Sequence, residues 1–436
     1  MNRIIPPLAA TALLLAGLTG CAPAGPSAEQ SMAPSESSNH DEHDHDDHDH
    51  ESSEGHGEIE GAQETTEAPL HIVSIDSAGN AGMTDLLDGK ESSLEAIAAP
   101  TSVYSDGRYV FASTAEGLSV IDSGMWSWAH GDHFHYYRAT PRSLGTLAGG
   151  KDAAVTGSAL STAGGTGVFF RDTGRAVLLD NAELAEGHVH PTFEIDTGKH
   201  DGLVAPLGEG AVVSVPGKNG KATQVRFHGP DGQSVNGTEA ECDQASDAIT
   251  TAAGLVIGCA DGALVVTLDG DGDGDEAPQY QRVAYPKGTK AGERATDFDG
   301  RKGRTSVAAV AGEHGAWVLD AREGKWQRIL ADVPLLRVSA VDDKDGHVVA
   351  LDTAGRIHVQ KLTSNEPAKV SEPLLAKTLA DKKALAGVEL VVDQQRAYLN
   401  DPAANAVHEI GFTDGARIAR HIETPTAPDF IAETGR

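Results

Sequence analysis

The sequence of 436 residues predicts an all-β protein: a β-propeller of about seven blades, preceded by a disordered acidic segment. Three observations carry that expectation. Beyond Leu70 the chain is rich in glycine and β-branched residues, and helical periodicity is scarce. Seven hairpin-like strand pairs recur at intervals of roughly 40 to 60 residues, each bounded by turn chemistry. The domain that holds them, residues 70–436, suits a ring of blades better than the alternative, a pair of β-sandwiches.

The strand pairs follow one another in order. Residues 109–112 turn at Glu116-Gly117 into 118–122, and 167–170 turn at Thr173-Gly174 into 176–180. Residues 211–215 are followed by 224–227, and 255–259 turn at Asp261-Gly262 into 264–266. Residues 306–310 turn at His314-Gly315, 347–351 at Ala354-Gly355, and 396–399 at Asp401-Pro402. Each turn offers the glycine, aspartate or proline that a tight reversal needs.

Ahead of the propeller, Arg3 and the apolar run 8–18 form an export signal too short to span a bilayer comfortably. It ends in Leu18-Thr19-Gly20-Cys21, the pattern of a bacterial lipobox, so residues 1–21 read as a lipoprotein signal peptide with lipid on Cys21. Residues 22–69 are Ser, Pro, Glu, Asp and His with almost no apolar content; nothing there offsets the entropy of ordering, and a disordered tether follows. The protein is therefore expected outside the cytoplasm, anchored to the cell membrane. Cys242 and Cys259 are then most simply one disulfide, with a metal-thiolate role as the alternative. The net charge of −31 argues against nucleic acid as a partner and suits attraction of cations.

Histidine placement is the most informative chemical signal. In Trp128-Ala129-His130-Gly131-Asp132-His133-Phe134-His135-Tyr136-Tyr137, a strand would point His133 and His135 to one face, and a turn at Gly131 could fold His130 back beside them. Converging imidazoles are the ligand set zinc prefers, with Asp132 a further ligand or an orienting acceptor. The neighbouring Trp126, Trp128, Phe134, Tyr136 and Tyr137 form the only dense aromatic cluster and predict a packed shell around the imidazoles. His188 and His190 repeat the spacing, and one or other is expected to complete the site; His200 in Lys199-His200-Asp201-Gly202 is a further candidate. In the tether, His40, His43, His45, His48, His50 and His56 alternate with carboxylates and offer many weak, exchangeable ligands. The run Asp269-Gly270-Asp271-Gly272-Asp273 imitates the start of a calcium loop, but the acid expected at its twelfth position is Tyr280. No nucleophile elbow, zincin motif or phosphate-cradling loop is present.

The segment His130-Gly131-Asp132-His133-Phe134-His135-Tyr136-Tyr137 resembles the signature of the AztD family, zinc metallochaperones of bacterial zinc ABC importers. The resemblance extends to Lys199-His200-Asp201-Gly202-Leu203-Val204-Ala205-Pro206-Leu207 and to Cys242 with Cys259 in Gly258-Cys259-Ala260-Asp261-Gly262, and covers most of the chain past Leu70. It implies a β-propeller with a flexible His-rich N-terminal segment, binding Zn2+ and delivering it to the importer's solute-binding protein. Two departures stand out. The family's His-Gly-Glu segment after the first cysteine has no counterpart in 243–249, which lacks histidine, and a lipobox is not required of the family. The sequence thus predicts a monomeric, non-enzymatic zinc carrier; a metal-dependent propeller hydrolase or lactonase and a non-catalytic interaction scaffold are the competing readings.

Overall fold

A computed structural model of the chain describes residues 57–130, 133–269 and 277–436. Eight four-stranded antiparallel sheets follow one another along the chain. Their innermost strands meet in sequence around an axis, as the blades of a propeller do. The blade count is eight where about seven are expected, and the unforeseen blade is the first.

That first blade takes strands His71–Ile75, Ala81–Asp85 and Glu91–Ser93 from one end of the domain. Its innermost strand, Phe430–Thr434, comes from the other end, with His71 opposite Thr434 and Ile75 opposite Phe430. Its middle strands form a local hairpin, with Ile75 opposite Ala81, but the innermost strand that completes the blade comes from the far end of the chain. The remaining seven blades begin with the innermost strands Pro100–Ser105, Ala153–Gly157, Val204–Leu207, Ala248–Thr251, Thr296–Asp299, Leu335–Ala340 and Leu390–Val392.

Burial within each blade explains the sequence pattern. Tyr109–Thr114, Gly117–Asp122 and Gly165–Phe170 are buried throughout, because each middle strand is covered by a neighbouring blade on both faces. Outer strands such as Pro191–Asp196 alternate between covered and exposed residues. The core is accordingly a ring of apolar interfaces between blades. Val73, Met83 and Phe430 meet Val110 and Ile121 between the first two blades. Ile72 and Ile431 meet Tyr398, Val407 and Ile422 where the eighth blade closes on the first. The expected disulfide is present: Cys242 and Cys259 join the end of the fourth blade to the second strand of the fifth.

The second blade carries an insertion. Between its third strand, Gly117–Asp122, and its fourth, Arg142–Leu147, the chain makes a separate hairpin of Met125–His130 and His133–Arg138. Gln63–Thr65 adds a third strand to it. Part of the segment expected to be a disordered tether is therefore built into the fold from Gly57 onward. Cys21, the tail histidines His40, His43, His45, His48, His50 and His56, Asp132, the His130 side chain and most of the acidic run after Asp269 lie outside the described residues.

Candidate metal centre

The hairpin is anchored at its base by a buried stack. Trp126 is fully buried against Tyr137, with ring centroids 5.2 Å apart, and the Arg108 guanidinium lies 4.1 Å from the Trp126 ring centroid. Arg108 pairs with Asp122 through two bonds of 2.9 and 2.8 Å, so the buried cation is matched by a buried carboxylate. Trp126 Nε1 donates to the Gly57 carbonyl at 3.0 Å. Gly57 has φ +75°, and a Cβ there would come within 2.5 Å of Trp128, so only glycine fits between the chain and that ring.

Register then decides which side chains share a face. His130 lies opposite His133, Trp128 opposite His135 and Trp126 opposite Tyr137. Trp126, Trp128, His133, His135 and Tyr137 therefore share one side of the hairpin. The aromatic shell expected around the imidazoles is thus partly realised: Trp126, Trp128 and Tyr137 continue their face. Phe134 and Tyr136 stack on the other side, 6.4 Å apart.

His133 and His135 meet as their spacing predicts. Their Nε2 atoms are 3.1 Å apart. The opposite nitrogen of His135, Nδ1, lies 2.7 Å from Glu64 Oε1 on the added strand. An ionised carboxylate only accepts, so this contact assigns the proton to Nδ1 and leaves the His135 Nε2 lone pair facing His133. Two bare nitrogens would repel at this distance; either a proton or a metal ion must lie between them. A carboxylate bonded to the far nitrogen of a histidine is the arrangement that orients a metal ligand and raises its basicity. Glu64 was missed from sequence because it sits in a stretch read as tether; the strand-forming Thr65-Thr66 pair beside it is the only local hint.

The other histidines go elsewhere. His188 and His190 do not extend the hairpin face but occupy the loop 187–190 after the short helix Asn181–Glu186 in the third blade. Asp180 caps that helix by accepting from Ala182 and Glu183, a cap-and-acid pattern legible in Asp180-Asn181-Ala182-Glu183. Glu183, Glu186 and His188 bring donor atoms within 4.8 Å of one another, the one such group of three among the described residues. His188 Nδ1 is 3.4 Å from Glu183 Oε2, and His190 is exposed beside it. His200 has neither nitrogen to offer: Nδ1 donates to Gly198 O at 2.7 Å and Nε2 pairs with Ser214 Oγ at 2.8 Å. It is a buried structural histidine, edge-on to Phe169.

The propeller axis holds a cavity of about 360 Å³ whose lining includes Asp247, Asp297, Asp299, Glu389 and Glu433 together with Arg337 and Arg436. Burial pushes Asp247 up to about 6, Glu389 up to about 7 and Glu433 up to about 8. Arg337 faces Glu389 and Arg436 faces Glu433, each at 3.4 Å. Among the described residues no three of these carboxylates converge on one point as a metal would require.

No protein-family model matches the chain. Among solved structures, the fold is similar to that of AztD from Citrobacter koseri, with a TM-score of 0.69, 19% identity, and 84% of this chain matched to 97% of that one. Apo AztD from the same organism gives the same TM-score and coverage at 18% identity. Dihydro-heme d1 dehydrogenase NirN, in complex with DHE, is similar at a TM-score of 0.51 and 15% identity, over 84% of this chain and 75% of that one. The chain has an AztD-like fold.

Proposed function

We propose that this AztD-like propeller is an extracytoplasmic zinc metallochaperone, lipid-anchored through Cys21, that passes Zn2+ to the solute-binding protein of a zinc ABC importer. The observation that carries the reading is the His133–His135 pair with Glu64 behind it. Its donors are imidazole nitrogens with one carboxylate-fixed tautomer, a set that suits a borderline divalent cation carried as cargo. His130 stands opposite His133 in the hairpin register, which puts it in line to be the third ligand.

The two histidine sources then act in series. Chain connectivity places His56 one residue from Gly57, whose carbonyl is held by Trp126 at the hairpin base. A tail that binds zinc weakly is therefore tethered beside a site that binds it with better geometry, and the transfer is intramolecular. Glu183, Glu186 and His188 form a separate, solvent-facing group of donors, suited to weaker and faster exchange. Release needs access. His133 is exposed and Phe134 is 58% exposed, so a partner can supply its own ligands one at a time at the hairpin tip.

A competitive zinc titration on chains 22–436, 57–436 and 70–436 tests the proposal. Residues 57–436 keep one tight site, because they retain both the hairpin and Glu64. Loss of tight binding on going from 22–436 to 57–436 would assign the metal to the tail alone and leave the propeller a scaffold or an enzyme. Transfer is read separately, by mixing zinc-loaded protein with an apo solute-binding protein in the presence of a chelator that intercepts free zinc.

A further inference from the structure

The eighth blade holds a second pair of facing imidazoles, far in sequence from the hairpin. His408, on strand Ala406–Gly411, lies directly opposite His421, on strand Arg417–Ile422. Their Nδ1 atoms are 2.9 Å apart, and the rings meet edge to face with centroids 4.9 Å apart. His408 is 6% exposed, whereas His421 opens to solvent. On the far side of His408, Nε2 lies 3.8 Å from Asp401 Oδ2; it is buried and makes no hydrogen bond among the described residues. Asp401 is itself buried and is held in place by the Thr378 hydroxyl.

We infer that His408 and His421 form a further site for a borderline divalent cation such as Zn2+, bound through the two Nδ1 atoms, with water or a donor from another molecule in the remaining positions. The pair reproduces the logic of the hairpin with the ring nitrogens exchanged: two imidazoles face one another, and a carboxylate lies behind one of them. Facing nitrogens this close need a proton or a metal ion between them. Two nitrogens bound to one tetrahedral zinc stand about 3.3 Å apart, given Zn–N bonds of about 2.0–2.1 Å. The pair must therefore open by a few tenths of an ångström on loading. That movement turns the His408 ring toward the Asp401 carboxylate behind it, which orients the imidazole as a ligand. An adjacent-strand scaffold fixes the spacing of the two donors without a loop having to order.

The site does not depend on the reading of the hairpin, and its test keeps the two apart. Full-length protein and His421→Gln are dialysed against buffered free zinc, and bound zinc is counted. Crystals of the full-length protein equilibrated with zinc are measured at the zinc absorption edge. The inference expects anomalous density between the two Nδ1 atoms and one zinc fewer per chain in His421→Gln, which is a solvent-facing substitution and leaves the hairpin donors in place. No density between His408 and His421 would overturn it, whatever is seen at the hairpin. Density accompanied by an unchanged zinc count in His421→Gln would also overturn it, as binding at crystal concentration only.

Discussion

At the scale of single residues, the candidate metal centre turns on one side chain that metal-motif reasoning passes over. Glu64 fixes the tautomer of His135, and as a 58% exposed side chain it contributes little to stability. Glu64→Gln is expected to weaken zinc binding to residues 57–436 by about 10- to 100-fold while leaving the melting temperature unchanged. An unaltered zinc constant in the competitive titration would remove Glu64 from the site. Protons compete with metal for imidazole nitrogen, so zinc affinity should fall steeply between about pH 7.5 and about pH 5.5. Equal affinities at the two pH values would exclude histidine as the principal ligand. The histidines were legible in sequence as candidates, but their sorting was not. His133 and His200 look alike in a string of letters, and only the Ser214 hydroxyl and the Gly198 carbonyl mark the latter as structural.

At the scale of elements, the hairpin depends on a base that is unusually polar for its burial. Arg108 is 1% exposed and stacks on Trp126, and Asp122 supplies its countercharge while also facing Arg142 at 3.4 Å. Asp122→Asn leaves the Arg108 cation buried without full compensation and should cost about 3–5 kcal/mol in urea unfolding. A cost below 1 kcal/mol would mean that the pair is dispensable and that aromatic packing alone holds the base. The added strand Gln63–Thr65 has the opposite character: short, peripheral and tied to the hairpin through Gln63 opposite Arg138. Its location explains why composition misplaced the tether boundary. A segment with little apolar content was expected to stay unfolded, yet a ready-made strand edge and two tryptophans give it partners.

At the scale of the molecule, two properties belong to the closed ring. The first is closure itself. Deleting 430–436 removes the inner strand of the first blade and exposes the apolar interfaces on both its sides. Circular dichroism of the shortened chain should show loss of the cooperative thermal transition, and a native-like melt would contradict closure by the terminal strand. The second is pH dependence set at the axis. Glu433 is buried beside Asp393 and Arg436, and burial raises it from the usual carboxylate value to about 8. A raised carboxyl favours the fold while neutral, so its contribution is complete below about pH 4.5 and is lost as pH climbs through about 8. Glu389 and Asp247 act in the same direction at lower pH. Burial lowers His71 and His200, which therefore stabilise above their unfolded value and lose that contribution as pH falls. Glu433→Gln should raise the melting temperature at about pH 8.5 and leave it nearly unchanged at about pH 5. An equal shift at both would show that ionisation of Glu433 is not the cause.

Local order was decided by the sequence alone. Seven of the eight blades announce themselves as hairpins with turn residues between them, the disulfide joins the two cysteines expected to pair, and the spacing of His133 and His135 already puts them on one face. Those features are legible because strand alternation, turn chemistry and the pairing of neighbouring strands act over a few residues. Tertiary structure decided what depends on residues distant in the chain. It completed the first blade with a strand from the far end of the chain and set Glu64 behind His135. Each rests on a pairing between segments that no local pattern connects, so only the folded chain brings the partners together.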